Sequence, residues 1–155
     1  LPLLAYTLAV WHLLRLCSRE PACNFVTDQL VVGRRLLPFE QNDTFASYID
    51  LAAEFAEPFS IRQSPSYCSF PILDGAAPKP IELRTIIANL RPGKVFIHCA
   101  QGHGRTGVFA LAVMLNSGAV LSVEEGLRVL GEARPAIRLS RAQYKCIEVF
   151  AKSLG

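Results

Sequence analysis

The stretch Lys94-Val95-Phe96-Ile97-His98-Cys99-Ala100-Gln101-Gly102-His103-Gly104-Arg105-Thr106-Gly107 decides the fold. Lys94 to His98 is a short β-branched and aromatic run, the pattern of a buried central strand. Gly104 to Asn116 reads as a strongly apolar helix (Val108, Phe109, Leu111, Val113, Met114, Leu115) that Ser117-Gly118 ends. A strand, then a glycine-containing loop, then a helix N-terminus makes an anion site. Unpaired backbone N–H groups and the positive end of the helix dipole converge on one point. Gly102, Gly104 and Gly107 let the loop curl so that those N–H groups face inward.

Five residues separate Cys99 from Arg105, a span that wraps one tetrahedral oxyanion with the sulfur beneath it. A thiolate is the competent nucleophile, and a ring of N–H dipoles at a helix N-terminus favours that form. Arg105 offers a planar fork for two phosphate oxygens, where a lysine would act as a point charge. Ala100, Gln101, Gly102, His103 and Gly104 supply the remaining backbone donors. Thr106 is placed to donate its hydroxyl to the sulfur, and His98, on the strand side, to orient the loop from behind. A lone cysteine ending a buried strand is usually a small hydrophobe. Its company here, with Arg six positions on and three loop glycines, argues for chemistry instead.

Working outward, Leu3 to Arg19 reads as a helix that Pro21 ends, and Leu30-Val31-Val32-Gly33, Tyr48 to Leu51 and Ser66 to Ile72 read as strands. Ile81 to Leu90 is broadly helical. Ser122 with Glu125 forms a capping box for a helix to about Ala133, and Ser140 precedes a last helix to about Lys152. Strands alternating with helices predict an α/β domain: a central, mostly parallel sheet of about four to five strands flanked by helices on both faces. A chain of 155 residues is one domain's worth. The division expected is an N-terminal helical segment, residues 1–27, and a catalytic domain, residues 28–155.

Half of the residues are apolar, about a fifth are charged, and the net charge is +3. That mildly basic balance suits an anionic ligand, but the basic residues are scattered, which sets nucleic acid aside. Five cysteines without a Cys-x-x-Cys pair or zinc-type spacing support neither a disulfide framework nor a metal site. A cytoplasmic, reducing location is expected. The opening apolar stretch is shorter than the ~20 residues of a spanning helix. It reads as a helix packed on the domain, as an interfacial helix making peripheral membrane contact through residues 1–20, or as the end of a longer anchor.

The run from His98 to Gly107 resembles the His-Cys-x-x-Gly-x-x-Arg-Ser/Thr-Gly signature of the protein tyrosine phosphatase superfamily, and the small domain is similar to its dual-specificity branch. The resemblance covers most of residues 30 to 150. Tyr67-Cys68-Ser69-Phe70-Pro71-Ile72-Leu73-Asp74-Gly75 followed by Pro78 resembles the family's strand and mobile acid loop. Arg134-Pro135 and Gln143 resemble its Arg-Pro segment and the glutamine that positions hydrolytic water. The resemblance implies Cys99 as nucleophile, Arg105 as phosphate clamp and Asp74 as general acid, with no cofactor and no metal. Chemistry points the same way for Asp74, because expelling an alkoxide or phenoxide at neutral pH needs a proton donor.

The implied function is phosphomonoester hydrolysis through a cysteinyl-phosphate intermediate by a dual-specificity protein phosphatase. The alternatives are a phosphoinositide or other lipid phosphatase, and a phosphate-binding module that does not turn over. The partner is accordingly a phosphorylated protein or a phospholipid. His103 at the site mouth would favour acidic or multiply phosphorylated substrates, the pair Arg34-Arg35 could meet a second phosphate, and Cys68 could form a protective disulfide with Cys99.

Overall fold

A computed structural model describes residues 2–41 and 44–155, leaving Leu1 of the N-terminal segment outside the described residues. In chain order the elements are α1 (Pro2–Cys17), β1 (Cys23–Phe25), β2 (Leu30–Arg34), a 3-10 turn (Pro38–Glu40), β3 (Ser47–Ala52), α2 (Phe59–Arg62), β4 (Tyr67–Ile72), α3 (Pro80–Ala88), β5 (Val95–Cys99), α4 (Gly104–Ser117), α5 (Val123–Ala133) and α6 (Arg141–Lys152). The strands form one sheet in the order β1-β2-β5-β3-β4. Only the β1–β2 pairing is antiparallel; β2–β5, β5–β3 and β3–β4 are parallel. The sheet is therefore mostly parallel, as the alternation of strands and helices predicts.

Alternation along the strands assigns each side chain to a face. Leu30, Val32, Ile49, Leu51, Val95 and Ile97 point to one side and form the main core with Phe109, Leu111, Leu130, Ile147 and Phe150 of the long helices. Val31, Tyr48 and Phe96 point to the other side, where Leu36, Phe45 and Ile61 cover them. The cover there is made by loops and the one-turn α2 rather than by long helices. Each fully buried Leu, Ile or Phe contributes roughly 1.5–3 kcal/mol over an exposed one. The helix α4 sits deepest, with nine of its fourteen residues buried, because it packs between the sheet and the outer helices. Gly118 in the left-handed region (φ 74°) terminates it.

Two departures from the sequence reading have local causes. Within residues 1–27 the helix stops at Cys17, and past Pro21 residues 23–25 add an antiparallel edge strand against β2; three residues are too short for periodicity to register. Residues 59–62 form a single helical turn after Pro58, likewise below the length a pattern can reveal. The α1 helix is anchored by Trp11, 2 % exposed, which packs on Phe55 and Ala100.

Close backbone layering brings β1, β2 and the loop after β5 together. A Cβ at Gly33 would stand 2.3 Å from the carbonyl oxygen of Ala22, and a Cβ at Gly102 would stand 2.3 Å from the Gly33 carbonyl. Neither neighbour is a side chain that can swing away. We expect Gly33→Ala to destabilise the fold by about 1–3 kcal/mol, read as a lower midpoint in urea unfolding; an unchanged midpoint would show that the layers part freely.

Candidate active site

The loop from Cys99 to Arg105 lies at the C-terminal end of β5, the central strand, where neighbouring parallel strands part and leave a crevice. Cys99 is 3 % exposed. Its Sγ accepts hydrogen bonds from the Gly102 N–H at 3.2 Å and from the Thr106 hydroxyl at 3.2 Å. Gly102 reaches this geometry at φ 76°, a region that favours glycine.

A loop whose N–H groups turn inward must turn its carbonyls outward, and each finds a donor. The Arg35 N–H donates to the Cys99 carbonyl at 2.9 Å. Trp11 Nε1 donates to the Ala100 carbonyl at 2.8 Å. Arg134 donates to the carbonyls of Gln101 (2.9 Å) and Gly102 (2.9 Å). That side chain is 1 % exposed, and its other N–H groups reach the Pro21 carbonyl, Asn24 Oδ1 and Glu20 Oε2. All five guanidinium donors are thus used. The resemblance pointed to Arg134; its loop-bracing contacts become visible only in the fold.

Arg105 is 3 % exposed and is held by Glu54, a residue that no motif singles out. Nη1 and Nη2 donate to Glu54 Oε2 and Oε1, each at 2.8 Å, and Nη1 also reaches the Ile72 carbonyl at 2.9 Å. This two-pronged pairing fixes the guanidinium plane. Burial pulls the Glu54 carboxyl upward, but the hydrogen bonds and charge of Arg105 outweigh it and hold the group below its usual range. Arg105 Nε is buried with no partner among the described residues, a donor left for an oxyanion. Asp74 lies on the loop after β4 with its side chain 86 % exposed and Oδ1 3.3 Å from Arg105 Nη2. Asp74 and Arg105 therefore meet across the cleft.

The remaining residues named from sequence divide into two groups. His98 is fully buried, its Nδ1 3.4 Å from the Cys99 carbonyl. Gly104 starts α4 so close to Gln143 that a Cβ there would stand 2.6 Å from Gln143 Oε1. His103 Nε2 lies 2.7 Å from Glu20 Oε2, which ties the loop to the segment after α1. Gln143 is 2 % exposed and its amide is occupied, accepting from the Ser140 N–H and donating to the Ala76 carbonyl. It braces the base of the acid loop in this conformation. Arg34 and Arg35 are engaged by Glu40 and Glu57, and burial pushes the Cys68 thiol up.

The cleft has a volume of about 420 Å³. Its floor is Cys99 to Arg105; Asp74, Arg138 and Gln143 line one side, and Thr7, Val10, Trp11 and Leu14 of α1 the other. The arrangement offers a shielded sulfur, a fixed guanidinium, a set of inward donors and an exposed carboxylate, the parts needed to transfer a phosphoryl group to sulfur and then to water.

Two substitutions separate loop bracing from charge. Arg134→Lys keeps the charge but provides three donors in place of five, so buried carbonyls lose partners at about 1–3 kcal/mol each; a lower melting temperature is expected, together with loss of oxyanion binding. Glu54→Gln should leave stability within about 1–2 kcal/mol yet weaken vanadate or tungstate binding, measured by calorimetry, because the guanidinium plane loosens.

No family model matches the chain, and no curated protein does. Solved structures do. Tk-PTP in its active form superposes with a TM-score of 0.74 at 22 % identity, covering 85 % of this chain and 97 % of that one. PTPMT1 in complex with PI(5)P gives 0.76 at 14 %, covering 86 % and 97 %. Human DUSP28 gives 0.73 at 14 %, covering 87 % and 96 %. The chain therefore has the fold of the protein tyrosine and dual-specificity phosphatases.

Proposed function

We propose that this protein hydrolyses phosphomonoesters through a cysteinyl-phosphate intermediate. The observation that carries the reading is the state of Cys99: a buried sulfur accepting hydrogen bonds from the Gly102 N–H and the Thr106 hydroxyl, beside an arginine whose Nε has no partner among the described residues. The sulfur attacks phosphorus as the bond from phosphorus to the ester oxygen breaks. Arg105 and the loop N–H groups carry the charge of the equatorial oxygens. Asp74 gives its proton to the departing oxygen. In the second step the Asp74 carboxylate takes a proton from water, the water oxygen bonds to phosphorus, and the thiolate leaves with the Thr106 hydroxyl donating to it. Backbone and side-chain donors supply the charge stabilisation, so the steps need no metal.

The substrate supported first is a phosphoprotein side chain, phosphotyrosine together with phosphoserine and phosphothreonine, since Trp11, Val10 and Leu14 give the cleft an apolar wall without a long insertion to deepen it. Lipid phosphate is a second reading, favoured by α1. A helix packed on a domain normally turns polar residues outward. Here the face opposite Trp11 carries Tyr6, Ala9, Leu13 and Leu16, all exposed, and between Pro2 and Leu14 there is no Asp, Glu, Lys or Arg, only His12. Arg15 and Arg19 follow at the helix end, where they would meet anionic headgroups. No described helix is long and apolar enough to cross a membrane. One of the structural neighbours is a complex with PI(5)P.

Cys99→Ser should abolish hydrolysis of phenyl phosphate while retaining vanadate binding; turnover at the wild-type rate in that variant would sink the mechanism. Asp74→Ala should slow esters with poor leaving groups by about 10²–10⁴ and slow activated esters far less, measured as kcat over a leaving-group series. Sedimentation with vesicles of anionic phospholipid, comparing wild type with the triple change Leu3→Ser, Leu13→Ser and Leu16→Ser, tests the second reading. Lipid phosphatase activity predicts that the wild type pellets and the variant does not.

A further inference from the structure

Beneath the phosphate loop, on the sheet face away from the long helices, lies a set of buried ionisable groups that the hydrolytic steps leave idle. The side chains of Asp50, on β3, of Glu57, before α2, and of His98, on β5, are 2 %, 0 % and 0 % exposed. Arg35, one residue past β2, donates from Nε to Glu57 Oε1 at 3.0 Å and from Nη2 to the Ala56 carbonyl. Tyr67 donates its hydroxyl to Asp50 Oδ2 at 2.8 Å, and the Ala52 N–H donates to Asp50 Oδ1 at 2.9 Å. The Tyr48 ring packs edge-on against His98, and Phe96 stacks on the other side of the imidazole.

The hydrogens in this cluster do not add up unless one more is present. The contact from His98 Nδ1 to the Cys99 carbonyl requires a hydrogen on Nδ1, since a carbonyl only accepts. In a neutral imidazole, Nε2 then presents a lone pair. That lone pair faces Asp50 Oδ1 at 3.6 Å and Glu57 Oε1 at 4.0 Å, and Nε2 has no hydrogen-bond partner among the described residues. Glu57 Oε2 and the Tyr48 hydroxyl are likewise buried without partners. The other tautomer fares no better, because it sets a lone pair against the Cys99 carbonyl. Charge leads to the same place. Two ionised carboxylates and one guanidinium leave a net charge of about −1 in a dry site, a costly state. One proton brings it to zero. The ligand atoms of Asp50, Glu57 and His98 lie within 4.8 Å of one another, the span of a cation site, but a divalent ion would overshoot to about +1 beside Arg35.

We propose that the Asp50–Glu57–His98 cluster holds one proton at neutral pH, and that the neutrality it brings keeps the imidazole turned to the Cys99 carbonyl, making Glu57 a positioning residue for the loop. Glu57 bonds no reacting atom; it acts through His98. Burial pushes the Glu57 carboxyl up to about 7, with Arg35 opposing and Asp50 reinforcing. Burial drives the His98 imidazole down to about 4 against the pull of Asp50. The proton therefore sits chiefly on Glu57, whose Oε1 lies 4.0 Å from His98 Nε2. Burial raises the hydroxyls of Tyr48 and Tyr67 above their ordinary range.

The direction of the pH effect follows. The folded pKa of Glu57 lies above its unfolded value, so the stability it contributes is full below about pH 4.3 and is lost as pH rises through about 7. Above that point the cluster carries a buried net charge and the grip of His98 on the loop weakens. The kinetic consequence rests on Cys99 being the nucleophile; the proton itself does not.

Wild type, Glu57→Gln and Glu57→Ala can be compared from about pH 5 to 9 by thermal melting, by NMR of protein labelled with ¹⁵N-histidine, and by kcat on an activated aryl phosphate whose leaving group needs no proton from Asp74. The glutamine is neutral at every pH and supplies an N–H toward Nε2. The melting temperature of wild type should fall relative to the Gln variant as pH rises through about 7, and the His98 Nε2 resonance should shift over the same interval only in wild type. The alkaline decline in kcat should be present in wild type and absent in Glu57→Gln, while Glu57→Ala is slowed at all pH values. Parallel melting curves and an unmoved His98 resonance would overturn the proposal, as would a melting temperature raised by Zn²⁺ or Mn²⁺ and lowered by EDTA, the signature of a cation in place of the proton. If the protein proves not to hydrolyse phosphate esters, melting and NMR still decide whether the proton is there.

Discussion

A loop that gathers its N–H groups around an anion cannot avoid exposing its carbonyls on the outside, and in this protein that outside is buried. Each orphaned carbonyl in a dry environment costs on the order of 1–3 kcal/mol. The structure meets the constraint with donors drawn from three separated parts of the chain. The Arg35 N–H takes the Cys99 carbonyl, Trp11 the Ala100 carbonyl, and Arg134 the carbonyls of Gln101 and Gly102. Much of the architecture around the sheet is arranged by this need. It draws α1 against the cleft, sets the residues before β1 on Arg134, and makes a buried arginine the link between the start of the chain and the turn after α5.

Buried and half-buried arginines bring their own difficulty, and here three have carboxylate partners: Arg105 with Glu54, Arg134 with Glu20, Arg35 with Glu57. Removing one partner of a fully buried pair leaves an uncompensated charge at about 3–5 kcal/mol, and less for Glu54 and Glu20, whose side chains are 26 % and 25 % exposed. These pairs fix orientation more than they add stability. The Glu54 fork sets the plane of Arg105, and the spare Nε is then the donor available to an oxyanion. Below the loop the pairing is incomplete, since Asp50 adds a second carboxylate to the single charge of Arg35. The one proton proposed for that cluster answers the imbalance, and it would couple the loop after β5 to solution pH.

The N-terminal helix joins the same logic to substrate choice. Trp11 fixes α1 through one hydrogen bond and one aromatic contact, with Phe55 at 5.8 Å between ring centroids. That anchoring leaves Thr7, Val10 and Leu14 as a wall of the cleft and turns Leu13 and Leu16 to the outside. The apolar outer face of α1 is the feature on which the proposed lipid reading rests.

The sequence by itself determined what is local. The Val95–His98 run, the three loop glycines and the spacing from Cys99 to Arg105 specify strand, loop and helix, because hydrogen bonding and dipole alignment there act over a few residues. The serine caps at Ser122 and Ser140 were legible for the same reason. Tertiary structure decided the partners. Glu54 lies 51 residues from Arg105 and Trp11 lies 89 from Ala100, and no periodicity carries information over such distances. Glu54 reads in sequence as one acid among several, Gln143 as the glutamine that the resemblance assigns to hydrolytic water, and Glu57 as another such acid. Only the crossing of β3 beside β5 brings the first to the guanidinium and the last beneath His98, where burial gives a single carboxylate its weight.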